Sequence, residues 1–190
     1  MQNIELCEWQ RRSPKNGMIQ CWFTHLCLDW IEEQDWSDKT IIMFGAGLGD
    51  AWLADRCKKL YIVERNKDWL EKSKIVSNDA GSKNIEYILR PCNDSDGKAE
   101  YYLELPKGVD FDVIINDDAY RTELCQVAVD YFKSKKGGGI LVADNFDQDF
   151  VWRSPKAIEI MKLFFGEVFY QVDHTNHEGN QWNTRYWIIK

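Results

Sequence analysis

The sequence predicts an α/β domain in which a mostly parallel sheet is covered by helices on both faces. Three observations predict it. Short apolar runs of strand length recur along the chain, and helical spacings fill the stretches between them. The first apolar run also enters a glycine-studded turn, Gly45-Ala46-Gly47-Leu48-Gly49, before the next helix begins. Strands that alternate with helices need crossover connections, which are right-handed and leave neighbouring strands parallel.

Residues 17–34 place Met18, Cys21, Trp22, Leu26 and Trp30 at helical spacings, so an amphipathic helix is expected in an N-terminal helical cap segment spanning 1–38. Ile41 to Phe44 then reads as a buried strand, Asp50 to Cys57 as a helix and Leu60 to Val63 as a strand. Lys67 to Ser77 is a helix and Ile85 to Leu89 a strand. The stretch NDSDGKAE after Pro91 is too rich in turn formers for regular structure, and Tyr101 to Leu105 reads as a short extra strand. The alternation resumes with strand Phe111–Asn116, helix Thr122–Phe132, strand Gly139–Ala143 and helix Pro155–Phe165. Strands around Val168–Val172 and Tyr186–Ile189, joined by a polar loop, suggest an antiparallel edge. With no internal repeat, low-complexity tract or linker, one domain over residues 1–190 is expected.

Composition narrows the function. Hydrophobic residues make up 44% and aromatic residues 14% of the chain, which excludes a disordered one. A net charge of -7 disfavours nucleic acid as a partner, because phosphate-backbone binding needs a basic face. No apolar run has the length of a signal-peptide core or a membrane span. The 6 cysteines contain no Cys-x-x-Cys pair, so neither a zinc knuckle nor a disulfide framework is expected, and a cytoplasmic location follows.

In a sheet of this kind ligands bind beyond the carboxyl ends of the strands, where the strand order reverses. The glycine turn lies there. A dinucleotide fingerprint reads Gly-x-Gly-x-x-Gly and faces a pyrophosphate, but here the third glycine comes one residue early and Asp50 stands in its place. An acid suits an amino group and a positive sulfonium better than a pyrophosphate. Glu64 ends the second strand, 19 residues beyond Gly45, where a carboxylate can bind both hydroxyls of an unphosphorylated ribose.

The run from Thr40 to Leu70 resembles the first motifs of class I S-adenosylmethionine-dependent methyltransferases, above all small bacterial and phage-type members. The pieces that carry the resemblance are Trp52-Leu53-Ala54, Arg56, Lys58-Lys59, Glu64 and Asp68-Trp69. It continues through FDVIINDD (111–118) and GGGILVADNF (137–146). The resemblance implies a Rossmann-like fold with a seven-stranded, mostly parallel sheet and an antiparallel last strand. It also implies a cofactor site: Gly45, Ala46, Gly47 and Gly49 around the methionine part with Asp50 beside it, Glu64 and Arg65 at the ribose, Asn93 or Asp94 near the adenine, and Asp117 on the acceptor side. The family has an acid two residues before the first glycine; here that residue is Met43.

A second cluster follows strands four and five. Val113 to Asn116 leads into Asp117-Asp118, and Leu141 to Ala143 leads into Asp144-Asn145. Two carboxylates and an amide oxygen suit Mg²⁺ or another hard divalent ion. The set Asp117, Asp144 and Asn145 resembles the metal site of the catechol-type O-methyltransferases, in which the metal activates a substrate hydroxyl. That subgroup has a lysine base where this chain has Tyr120, so Asp117 and Tyr120 are the catalytic candidates. Strand ends also collect Asp and Asn as caps and turn formers, which needs no metal.

Other candidates carry a plainer reading. His174 and His177 fall in an expected polar loop, His25 on the N-terminal helix, and Trp36 and Trp152 in the core or a pocket wall. The sequence thus points to methyl transfer from S-adenosylmethionine to an oxygen or nitrogen of a small molecule or a protein. A non-catalytic module with this fold and a nicotinamide-dependent oxidoreductase remain the alternatives. The acceptor and the oligomeric state are not legible.

Overall fold

A computed structural model describes residues 11–93, 99–118, 120–145, 159, 175–177, 180–182 and 184–189. The described elements run α1 (His25–Glu33), β1 (Thr40–Phe44), α2 (Asp50–Ala54), β2 (Lys59–Glu64), α3 (Lys67–Asp79), β3 (Ile85–Leu89) and α4 (Ala99–Leu103). They continue with β4 (Val113–Asn116), α5 (Arg121–Ser134), β5 (Gly139–Ala143), β6 (Thr175–His177), β7 (Asn180–Trp182) and β8 (Arg185–Ile189).

Six strands form one sheet in the order β3-β2-β1-β4-β5-β8, and only β8 is antiparallel to its neighbour. The Rossmann-like α/β reading therefore holds, with six described strands where seven were expected. The strand expected around Val168–Val172 and the helix over Pro155–Phe165 lie outside the described residues, apart from Glu159. The strand order reverses between β1 and β4, because β1 pairs in parallel with β2 on one side and with β4 on the other.

Each strand of the sheet centre divides its side chains between two buried layers, as the period of two requires. Ile42, Phe44, Ile114 and Leu141 pack on Leu124, Ala128 and Phe132 of α5. Ile41, Met43, Ile115 and Val142 pack on Leu28 and Ile31 of α1 and on Trp52 and Leu53 of α2. Burying each large aliphatic side chain of these layers stabilises the fold by about 1.5–3 kcal/mol. Both faces being dry explains why the strands read as continuous apolar runs.

Three local expectations are corrected. The first helix begins at His25 rather than near residue 17. Residues 11–24 are instead extended or turned: Arg12 and Ile19 form an isolated antiparallel bridge, and the Thr24 amide donates to Thr184 Oγ1 at 2.9 Å. The segment 99–103 is α4, not a strand. Tyr102 and Leu103 are consecutive yet both enter the same core layer, which a helical turn allows and a strand's alternation forbids. Residues 175–177 and 180–182 pair as antiparallel strands, β6 with β7, where a polar loop was expected.

A buried polar knot fixes the N-terminal segment to α2. One carboxylate oxygen of Glu32 accepts from Ser13 Oγ at 2.7 Å, Trp52 Nε1 at 2.9 Å and Arg56 Nη2 at 2.6 Å. Burial alone would raise the Glu32 pKa, but these donors outweigh it and bring it down to about 2. Arg56, one of the residues in the family-like run, thus serves packing. Cys21, Cys27, Cys57, Cys92 and Cys125 are all free and buried.

Candidate active site

The hydrogen-bond ladder of the sheet runs one step past three strands and so places the loop residues. Gly45 N donates to Val63 O, Asp117 N to Phe44 O and Asp144 N to Asn116 O, each at 2.9 Å. The sheet therefore sets where Gly45, Asp117 and Asp144 begin their loops, all at its carboxyl edge. Among them opens a cleft of about 480 Å³, lined by Gly45, Ala46, Glu64, Arg65, Asn66, Trp69, Cys92, Asn93, Asp117 and Asp118.

Gly45 has φ +103°, a left-handed conformation that favours glycine, and a Cβ there would lie 2.5 Å from Asp117 O. The glycine lets the β1 and β4 loops touch. Gly49 is needed for a different reason: a Cβ on it would stand 2.2 Å from Cys21 N, so the N-terminal segment packs directly on its backbone. Gly47 has room, the nearest atom to its Cβ position being Asp50 Oδ1 at 3.6 Å.

Two carboxylates hold the turn. Glu64, only 4% exposed, accepts from Ala46 N at 2.8 Å and from Asn66 N at 2.6 Å. Burial raises its pKa, and these amides oppose the rise. Asp50 is fully buried beneath the turn. It accepts from Gly47 N at 2.9 Å, from Tyr87 OH at 3.3 Å and from Ser73 Oγ. Burial pushes its pKa up to about 7 against the pull of those donors. Met43 sits in the apolar layer below with 2% exposure, so the amides of the turn are held by Glu64 and Asp50 instead of a carboxylate on β1.

The Asp50 shift has a sign that can be tested. Its folded-state pKa of about 7 lies above the usual 3.8, so the native state binds the proton more tightly. This stabilising contribution is full below pH ~4 and declines by at most about 1.4 kcal/mol per pH unit as the pH rises towards 7. Asp50→Asn is expected to remove that decline: its amide oxygen can still accept from Gly47 N, and its NH₂ can donate to the Ser73 and Tyr87 hydroxyls, which turn to accept. Urea denaturation at pH 5 and pH 8 should show the variant gaining on the wild type at the higher pH; parallel pH profiles would reject the assignment.

Trp69 and Asp118 also line the cleft; the sequence marked them in the Asp68-Trp69 and Asp117-Asp118 pairs, but neither as a site residue. Asn66 caps α3 by accepting from Trp69 N at 3.1 Å, and Trp69 Nε1 donates to Ala46 O, which ties α3 to the glycine turn. Asp118 accepts from Tyr102 OH and pairs with Arg65 Nε at 3.2 Å. The signal that could have found these residues is positional: each lies within a few residues of a strand's carboxyl end.

Of the residues expected at the cofactor, Gly45, Ala46, Glu64, Arg65, Asn93 and Asp117 come together in the cleft. Gly47, Gly49 and Asp50 are not among the residues that line it, and Asp94 lies outside the described residues. Tyr120 caps α5 in a left-handed conformation, φ 58°, and its OH donates to Asn93 O at 2.9 Å. It bridges the loops after β3 and β4. Asp117 is half-buried, and no side-chain hydrogen bond to it occurs among the described residues. Burial and then the neighbouring Asp144 charge raise its pKa well above the carboxylate range, opposed by Arg121.

Two of the three side chains expected at a metal already have hydrogen-bond partners. Asn145 Oδ1 accepts from Arg121 Nη2 at 2.9 Å, and the Asp144 carboxylate accepts from Thr184 Oγ1. No group of three His, Cys, Asp or Glu side chains suited to a metal ion occurs among the described residues. His174 and Trp152 lie outside the described residues. Trp36 is core, 2% exposed and edge-on to Trp30 at 5.8 Å.

Solved structures of methyltransferases share this Rossmann-like α/β fold. The N-methyltransferase NodS from Bradyrhizobium japonicum superposes with a TM-score of 0.63 at 16% identity, over 87% of this chain and 93% of that one. A putative O-methyltransferase from Klebsiella pneumoniae gives 0.61 at 16% identity, over 87% and 77%. A putative methyltransferase from Streptococcus mutans in complex with SAH gives 0.58 at 13% identity, over 86% and 96%. No sequence-family model matches the chain, and no curated protein matches it significantly.

Proposed function

We propose that the protein is a methyltransferase that uses S-adenosylmethionine and acts on an oxygen or nitrogen of a small molecule or a protein. The observation that carries this reading is Glu64. Its carboxylate stands at the end of β2, fixed by the amides of Ala46 and Asn66, beside the glycine turn and inside the cleft. Each carboxylate oxygen keeps a lone pair for a ribose hydroxyl. Gly45 and Ala46 would take the methionine part, and Cys92 and Asn93 the adenine. When bound, the cofactor supplies an electrophilic methyl on a positive sulfonium.

The residues suit that charge. Among the described lining residues Glu64, Asp117 and Asp118 stand against one cation, Arg65, and a bound cation favours the ionised form of a carboxyl whose pKa burial has raised. Asp117 then orients the acceptor nucleophile, and rate comes mainly from holding it in line with the methyl group. Tyr120 acts indirectly, by holding the Asn93 loop. The net charge of -7 favours a small or protein acceptor over nucleic acid, even though an rRNA methylase from Streptococcus thermophilus shares the fold at a TM-score of 0.57. Five buried free thiols support a cytoplasmic location.

Calorimetric titration with S-adenosylmethionine, S-adenosylhomocysteine and NADH tests the reading. Micromolar binding of the two adenosyl ligands and none of NADH is expected. Binding of NADH alone would transfer the chain to the oxidoreductases. Adenosyl binding without methyl transfer to any acceptor in a broad panel would leave a cofactor-binding module.

A further inference from the structure

We infer that Arg121 is the resident cation of the acceptor edge and that it keeps divalent ions out. Arg121 opens α5 just after β4, and its side chain crosses to the end of β5. There Nε donates to Asp144 O at 2.9 Å and Nη2 to Asn145 Oδ1 at 2.9 Å. The Asn145 amide oxygen is the neutral donor that an ion would need, and a guanidinium hydrogen already lies on it.

The surrounding backbone is built for this arrangement. Tyr120 and Asn145 are the non-glycine residues with positive φ among those described, at 58° and 55°. Both stand at the mouths of the loops that Arg121 joins, and left-handed tyrosine persists only where neighbouring structure demands it. Asp144 is held from the other side. Thr184 Oγ1 donates to its Oδ1 and accepts from Thr24 N, which links β5 through the β8 end to the N-terminal segment.

A dication entering between Asp117 and Asp144 would have to displace the guanidinium from Asn145 and stand beside a fixed positive charge. Arginine remains charged at any working pH, so it does not make room by losing its proton. The positive charge that a metal brings to this edge in metal-assisted methyltransferases is therefore already covalently part of the chain. The inference rests on the methyltransferase reading only for the name of the edge.

Mn²⁺ titration of the full chain, followed by electron paramagnetic resonance, tests it. The wild type is expected to show no stoichiometric Mn²⁺ binding below millimolar concentration. Arg121→Gln, which keeps a hydrogen-bond donor but no charge, should bind one Mn²⁺ at least about tenfold more tightly, since the repulsion is gone. Adding Asp144→Asn should abolish that gain, and Arg121→Lys should still exclude the ion. Stoichiometric binding by the wild type that Asp144→Asn removes would overturn the inference, and so would Arg121→Gln with no gain. S-adenosylhomocysteine titration of the same samples reports separately: its failure on the wild type counts against the methyltransferase reading and leaves the Mn²⁺ result standing. The wild-type arm needs no variant to fold.

Discussion

A Glu64→Ala variant is expected to bind S-adenosylhomocysteine about 100-fold more weakly than the wild type, because hydrogen bonds to a charged group are worth about 1.5–3 kcal/mol each. Two losses combine. The ribose loses its carboxylate, and the amides of Ala46 and Asn66 lose the acceptor that fixes the turn. Glu64→Gln separates them, since an amide can accept from one backbone N–H but presents its own NH₂ to the other. Its affinity should fall between those of wild type and Glu64→Ala. Calorimetry on all three proteins measures this, and unchanged affinity in Glu64→Ala would remove the observation on which the proposed function rests.

The second large effect is expected on stability. Gly49→Ala places a methyl group 2.2 Å from Cys21 N and 2.4 Å from Cys21 Cα, both backbone atoms that cannot rotate away. Either α2 or the N-terminal segment must move. The segment is held by the Glu32 knot and by the Thr24–Thr184 bond, so the overlap is costly. A loss of about 3 kcal/mol or more is expected, at the upper end of overpacking effects. Gly47→Ala is the control, with 3.6 Å to the nearest atom and therefore little change. Equal urea midpoints for the two variants would show that Gly49 is not a packing glycine.

The three glycines of the turn show where sequence reading stops. Gly45, Gly47 and Gly49 are equivalent in the motif, and all three were expected to cradle a ligand. In space Gly45 admits the Asp117 loop, Gly49 admits the N-terminal segment and Gly47 is unconstrained by neighbours. Asp50 shows the same limit. Its place in the motif suggested a cofactor contact, but its carboxylate turns under the turn to Ser73 and Tyr87. Which side of a loop a side chain takes depends on residues far away in the chain.

What the sequence by itself determined is the layered α/β order, the strand ends that carry chemistry, and Glu64 as the acid of β2. Those features follow from local periodicity and from the rule that parallel sheets gather their loops at one edge, so they need no knowledge of long-range contacts. Only the tertiary structure decided that residues 11–24 are not helical, that 99–103 are, and that Arg121 rather than a free space stands against Asn145. Each of these depends on partners distant in the chain: Thr184 for Thr24, Phe44 for Tyr102, and the end of β5 for Arg121. Packing and hydrogen bonding across such separations override local preference, because a buried polar group or aromatic ring takes the conformation that satisfies its neighbours.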